Sequence, residues 1–450
     1  MTRSNVSRVF HRSLVTPFPE ASLAQGAYIT DGSGRQYLDA SGGAAVSCLG
    51  HGHPQIIAAI KDQLDRMAFA HTSFFTSHPA EALADKLSHK APGGAWRVYF
   101  VSGGSEANEA ALKLARQIQV ERGEPTRDHF ISRQFSYHGN TLGALSVSGR
   151  LANLDLFGPI LLPNVRKIMP CFSYRWKDEG EDDTDFGLRA ARALELEILK
   201  LGPRRAIAFI AETVVGATLG CVPAVPGYFK EIRRICDEHG VLMILDEVMC
   251  GMGRCGTLFA CQAEGIVPDV ITIAKGIAAG YQPLGAMLVR EELAEEIEKG
   301  SGAFAHGHTY VGHATACAAG LAVQEVFEDQ DIVPRVARLG TKLRARLEAC
   351  FGDHPHVGNL RGRGLFQGLE IVATRASKEP FPAEYGIARR LKARAMENGL
   401  ICYPFAGTVD GRRGDHVLLA PPFIIAEAQL DELCGKLSRS LDEAIAEARG

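Results

Sequence analysis

Two residues in this chain stand where apolar strands should end. In DVITIAKGIAAGYQPLGAM, residues 269–287, Lys275 closes a β-branched run and precedes a glycine-rich turn. An isolated ammonium there loses hydration, so it must find a partner or lower its pKa. A lysine that becomes a neutral amine is both a nucleophile and a base. In VLMILDEVMCGMGRCG, residues 241–256, an apolar run leads into Asp246 and Glu247 and then into more glycines. Sites of open α/β sheets lie beyond the carboxyl ends of the strands, so an acid at that place faces the same crevice. An acid that merely caps a turn has the same local sequence.

A third stretch supplies the complement. VYFVSGGSEANEAALKLAR, residues 98–116, reads as a strand, then Gly103, Gly104 and Ser105, then a helix with Ala107, Ala111 and Leu114 on one face. Glycines at such a turn leave backbone N–H groups exposed at a helix N-terminus, where the dipole favours an anion, and Ser105 adds a hydroxyl. No Gly-Lys-Ser/Thr comes after it, so this is not a Walker loop; alone, it reads equally as a glycine turn with a cap. An amine, an acid and a phosphate cradle converging at strand ends fit one cofactor, pyridoxal 5′-phosphate. Its aldehyde needs a neutral amine, its ring nitrogen a carboxylate and its phosphate an anion site.

These residues need a scaffold. Near the start, AYITDGSGRQYLDA predicts two short strands about a turn, then a helix with Ile56, Ile57, Ile60, Leu64 and Met67 at helical spacing. From about residue 97, VYFV, AIAFIAE, VLMILDE, DVITIAK and LGAMLV alternate with helices, the last an antiparallel partner of its predecessor. That is an α/β pattern with a mostly parallel sheet covered on both faces. Helices over 331–351 and 383–398, a strand in GLFQGLEIV and a last helix with Leu430, Leu433, Leu437, Leu441 and Ile445 predict an α+β unit. We expect an N-terminal segment 1–65 belonging to the small domain, a large cofactor-binding domain over 66–328 and a C-terminal small domain over 329–450. FSYRWKDEGEDDTDFG, polar and acidic, reads as a solvated loop or helix approach.

Composition narrows the partners. The 450 residues are 46% hydrophobic and 22% charged, enough for a large core, and 49 Lys and Arg against 52 Asp and Glu leave a net charge of −3. With no basic block, neither nucleic acid nor an anionic membrane is the expected partner, and a small molecule is. Eleven scattered cysteines without a CxxC pair predict reduced thiols in the cytoplasm, as does the lack of an apolar run of signal-peptide or membrane-spanning length. His51 with His53, and His306 with His308, have metal-like spacing but no carboxylate or cysteine pattern beside them, so no metal site is expected. Cys250, Cys255 and Cys261 likewise lack zinc spacing.

In combination, FVSGGSEANEAALKLAR, YHGNT, AETVVGA with GYF after it, LDEVMCGMGR, TIAKG and HTYVGHATACAA resemble the class III aminotransferases, enzymes of the fold type I pyridoxal-phosphate class. The resemblance runs from DGSGRQYLDASGG to LAPPF, essentially the whole chain. It implies that Lys275 holds the cofactor and shuttles the proton, that Asp246 partners the ring nitrogen, and that Val248 packs on one ring face with Tyr137 on the other and His138 beside it. Gly104 and Ser105 would bind the phosphate, with Gly103 where many relatives have a serine. Thr309 would reach the phosphate of the neighbouring subunit's cofactor, making a homodimer part of the site. Glu212 matches a glutamate near the cofactor, although Thr213 replaces a common proline, as does Ala314 in HTYVGHATACAA.

For activity, the resemblance implies transfer of an amino group from an omega-amino acid or primary amine to a 2-oxo acid, pyruvate first, by a ping-pong mechanism. A diaminobutyrate or other diamine transaminase using 2-oxoglutarate, a dialkylglycine-decarboxylase-like enzyme and an aminomutase use the same lysine and acid. A non-catalytic cofactor-binding protein is the remaining alternative. Carboxylate substrates call for an arginine fork, and Arg412 or Arg413, in GTVDGRRGDHVLLAPPF, lies in the stretch where relatives place one.

Overall fold

The chemistry-bearing residues stand directly at strand ends. A computed structural model describes residues 7–449. The five apolar stretches form the strands Trp96–Val101, Ala206–Glu212, Leu242–Asp246, Val270–Ile273 and Gly285–Arg290. Two strands that the sequence pattern did not single out, His129–Arg133 and Val165–Ile168, complete a seven-stranded sheet. Its spatial order is Trp96–Val101, Gly285–Arg290, Val270–Ile273, Leu242–Asp246, Ala206–Glu212, His129–Arg133, Val165–Ile168. Gly285–Arg290 is antiparallel to both neighbours, and the remaining pairings are parallel.

Successive strand residues point to opposite faces, and both faces are buried. Leu242 and Ile244 join the helix Gly104–Glu121, through Ala111, Leu114 and Ile118, in one core. Met243 and Leu245 face the other way, against Phe186 and Leu194 of the helix Asp183–Leu201 and Ile232 of the helix Tyr228–His239. Gly227 and Gly240, both at positive φ, bracket the latter helix. Parallel register sets Glu212 opposite Asp246 and Asp246 opposite Thr272, so three polar side chains stand in a row across the strand ends.

The N- and C-terminal segments share a second core. Ala27, just before the strand Tyr28–Asp31, and Leu38, in the strand Gln36–Asp39, pack with residues of the helices Ile332–Phe351, Ile387–Glu397 and Glu427–Arg449. Leu430, Leu433, Leu437, Leu441 and Ile445 are all buried there, as their spacing predicts. Leu400–Ile401 pairs in parallel with Gln36–Asp39, and the Tyr28 hydroxyl donates to Glu432 at 2.6 Å. Of the apolar positions in the helix Pro54–Arg66, Ile56 is fully buried whereas Leu64 remains 51% exposed, so its apolar stripe is wider than the surface it covers.

The acidic stretch at 172–187 is a helix approach rather than a solvated loop. Asp182 caps the helix Asp183–Leu201 by accepting from the Asp185 N–H, and Arg175 reaches the buried Glu370 at 2.7 Å. All eleven cysteines are unbridged. Among the described residues no helix is long and apolar enough to cross a membrane.

Candidate active site

A cavity of about 570 Å³ opens at the carboxyl ends of the central strands. Lys275, Asp246, Glu212, Val248, Tyr137, His138, Gly104 and Ser105 all line it. Thr309 does not; it is exposed in the loop after Gly302, outside the cavity of its own chain. Arg412 and Arg413 do not either. Arg412 is exposed and sits 3.3 Å from Asp155, and Arg413 donates to Asp410 at 2.7 Å, so the glycine-rich loop turns both side chains away from the wall that Gly411 forms.

Lys275 comes just after the strand Val270–Ile273 and begins a short 3-10 turn, with φ at 52°. A left-handed lysine costs on the order of 1 kcal/mol, a strain held by the packed strand behind it. Burial lowers its pKa to about 8, against the opposing pull of Asp246 and Glu212. Roughly a tenth of it is then neutral amine at about pH 7, where an ordinary lysine is almost wholly charged.

Asp246 is held as an acceptor from three elements. Its Oδ2 accepts from Asn108 Nδ2 at 2.8 Å and from His138 Nδ1 at 2.7 Å, and its Oδ1 accepts from the Val248 N–H at 3.0 Å. Asn108 is fixed in turn by Thr272, whose hydroxyl donates to its Oδ1 at 2.7 Å, and it donates to the His138 carbonyl at 2.7 Å. Donors aimed at a buried carboxylate hold it in one orientation. Asn108 and Thr272 were not singled out in the sequence; the available signal was one amide within the small-residue face of SEANEAALK and one hydroxyl in VITI.

Glu212 is also buried, which raises its pKa, with Asp246 adding to the effect. Its carboxyl accepts from the N–H groups of Tyr137 at 3.0 Å and Gly216 at 2.8 Å, and Arg133 bonds its main-chain carbonyl. The side chain therefore anchors the Tyr137 loop. Thr213, at the position of a common proline, donates to Glu247 at 3.0 Å, and Glu247 accepts from the N–H groups of Ala260 and Cys261.

The anion cradle is built from the helix Gly104–Glu121, whose first-turn N–H groups lack intrahelical partners. Its walls are tight. A Cβ on Gly104 would stand 2.8 Å from Val248 Cγ1, and one on Gly139 would stand 2.5 Å from Ser105 Oγ. Ser105 Oγ accepts from the Asn140 N–H at 3.1 Å.

The pattern of the aminotransferase class-III family matches residues 12–441. The chain belongs to the class III aminotransferases. It is 44% identical to an uncharacterized aminotransferase of Schizosaccharomyces pombe, over 95% of this chain and 93% of that one. A tomato (Solanum lycopersicum) protein named gamma aminobutyrate transaminase 3, chloroplastic, is 36% identical over 93% of this chain and 80% of the relative. Among solved structures, the omega transaminase of Pseudomonas jessenii in complex with PMP superposes with a TM-score of 0.90 at 33% identity, covering 96% of this chain and 93% of that one.

This aminotransferase accordingly has the fold type I architecture and depends on pyridoxal 5′-phosphate. Its cavity fits that group: a depressed-pKa amine, a donor-saturated carboxylate and a cradle that a single Cβ would obstruct share one wall-lined space.

Proposed function

We propose that this aminotransferase moves the amino group of an omega-amino acid or primary amine to a 2-oxo acid, pyruvate foremost, in two half-reactions at Lys275. The observation that carries the reading is the half-buried Lys275, its pKa lowered to about 8, on the same cavity wall as Asp246. The cofactor, when bound, supplies an aldehyde for the amine and an electron sink for the carbanion. Lys275 Nζ, in its neutral form, would take a proton from the donor's carbon and return it one position away. Asp246, held by His138, would partner the ring nitrogen, and Val248 and Tyr137 would pack against the ring. Gly104 and Ser105 would hold the phosphate.

The enzyme acts as a homodimer in this reading, with Thr309 contributing to the cofactor phosphate site of the partner subunit. Tyr310, 59% exposed beside Thr309, and Phe74, 80% exposed, are apolar surface that a partner would cover. The tomato relative's name supports an omega-amino acid donor. The test mixes cofactor-loaded protein with a panel of amines and monitors conversion of the visible absorption to the pyridoxamine form, then its return on adding pyruvate. Conversion and return are expected. Release of carbon dioxide, or turnover without a second substrate, contradicts transamination.

A further inference from the structure

A carboxylate substrate needs a cation that no protein acid has already claimed. Arg412 and Arg413 do not meet that requirement: neither lines the cavity, and each is paired with a surface acid, Asp155 and Asp410 respectively. The cavity wall offers two other guanidinium groups, Arg12 and Arg150. Among the described residues neither has a carboxylate within ion-pair reach. The two acids on the same wall, Asp246 and Glu212, are committed to His138, Asn108 and main-chain N–H groups. Both arginines face Tyr137, where their charge opposes the rise that burial imposes on its hydroxyl pKa.

Arg150 is the better built of the two. Its guanidinium lies 5.8 Å from the Phe405 ring centroid. Phe405 stacks on His416 at 17° with centroids 5.9 Å apart. His416 is fully buried and fixed at both ring nitrogens, to the Thr408 hydroxyl at 2.7 Å and the Ala217 carbonyl at 3.0 Å. Stacking on an aromatic ring positions a guanidinium without using its N–H donors, so the whole fork stays free for a planar bidentate acceptor. We propose that Arg150, aligned on the Phe405–His416 stack and assisted by Arg12, binds the substrate carboxylate of the 2-oxo acid acceptor and of omega-amino acid donors. The inference rests on the transaminase reading above and names that site's carboxylate anchor.

The experiment compares wild type, Arg150→Gln, Arg150→Lys and the double variant Arg412→Gln/Arg413→Gln, all loaded with cofactor. Pyruvate KM should rise about tenfold or more in Arg150→Gln, the scale of a lost charge-assisted bond, with partial recovery in Arg150→Lys. Conversion by an amine that carries no carboxylate, such as 1-phenylethylamine, should stay within about twofold of wild type in every variant. Calorimetric binding of propionate and glutarate, which lack the reacting group, should weaken in parallel with pyruvate KM. Binding is read whether or not any amine turns over, so failure of the transaminase reading and failure of the anchor are separate results. An unchanged pyruvate KM and unchanged carboxylate binding in Arg150→Gln overturn the proposal. So does a rise confined to the Arg412→Gln/Arg413→Gln protein.

Discussion

His138 Nδ1 donates to Asp246 Oδ2 across 2.7 Å in a fully buried site, and Asn108 Nδ2 reaches the same oxygen at 2.8 Å. The acid therefore sits in a network running from Thr272 through Asn108 to the YHGNT loop, joining two strands, a helix and a loop. A carboxylate presented to a ring nitrogen must not rotate, and this network restrains it.

Removing Asn108 tests that restraint. Asn108→Ala deletes a donor to Asp246 and leaves the Thr272 hydroxyl without its acceptor. A buried hydrogen bond to a charged group contributes about 1.5–3 kcal/mol, so the amine half-reaction should slow by about 10- to 100-fold in stopped-flow absorbance. A rate within about twofold of wild type would show that Asp246 needs no such support.

The cradle tolerates little added volume. Gly139 has φ at +134°, and a Cβ there meets Ser105 Oγ at 2.5 Å. Gly139→Ala should weaken pyridoxal phosphate binding by about tenfold or more while far-UV circular dichroism stays unchanged. Wild-type cofactor affinity in that variant would mean the Ser105 wall does not contact the phosphate.

Lys275 imposes a pH-dependent cost on the cofactor-free protein. Its folded pKa of about 8 lies below the ordinary 10.5, so between those values the unfolded chain binds more protons and stability rises with pH. Lys275→Met should therefore melt higher than wild type at pH 7, by an amount worth up to about 3 kcal/mol, and the difference should shrink as pH rises from about 8 to 10.5. Thermal denaturation at several pH values measures it. A constant difference across that range would place the lysine in water.

Much of this was legible because strands buried on both faces read as continuous apolar runs, and the residue at the end of such a run faces the crevice. Lys275, Asp246 and the Gly104–Ser105 turn were legible on that ground. His129–Arg133 and Val165–Ile168 were not, because HFISR and VRKI carry polar residues that the Ser132–Lys167 contact and Arg133 satisfy only in three dimensions. Arg150 was hidden for a related reason: the role proposed for it depends on Phe405 and His416, which lie more than 250 positions away in the chain. Conversely, Arg412 and Arg413 stood out in the sequence, yet Asp155 and Asp410 occupy them.

The acidic stretch at 172–187 hid a buried charge relay. Glu370 is fully buried between Arg175, at 2.7 Å, and Arg361, at 2.8 Å. Glu370→Ala leaves the buried Arg361 uncompensated and should destabilise the protein by about 3–5 kcal/mol in urea denaturation. A change below about 1 kcal/mol would show that water reaches the pair.

The central claim is that Lys275 carries the cofactor. Borohydride reduction of the loaded protein, then proteolysis and mass spectrometry, fixes the cofactor to the lysine that holds it. Among the described residues, the only other lysine with a pKa lowered as far, Lys167 at about 7, bonds Ser132 and the Ser146 carbonyl outside the cavity and serves as an internal control. The account predicts a pyridoxyl adduct on the Lys275 peptide alone; an adduct on Lys167 or another lysine, with Lys275 unmodified, would contradict it.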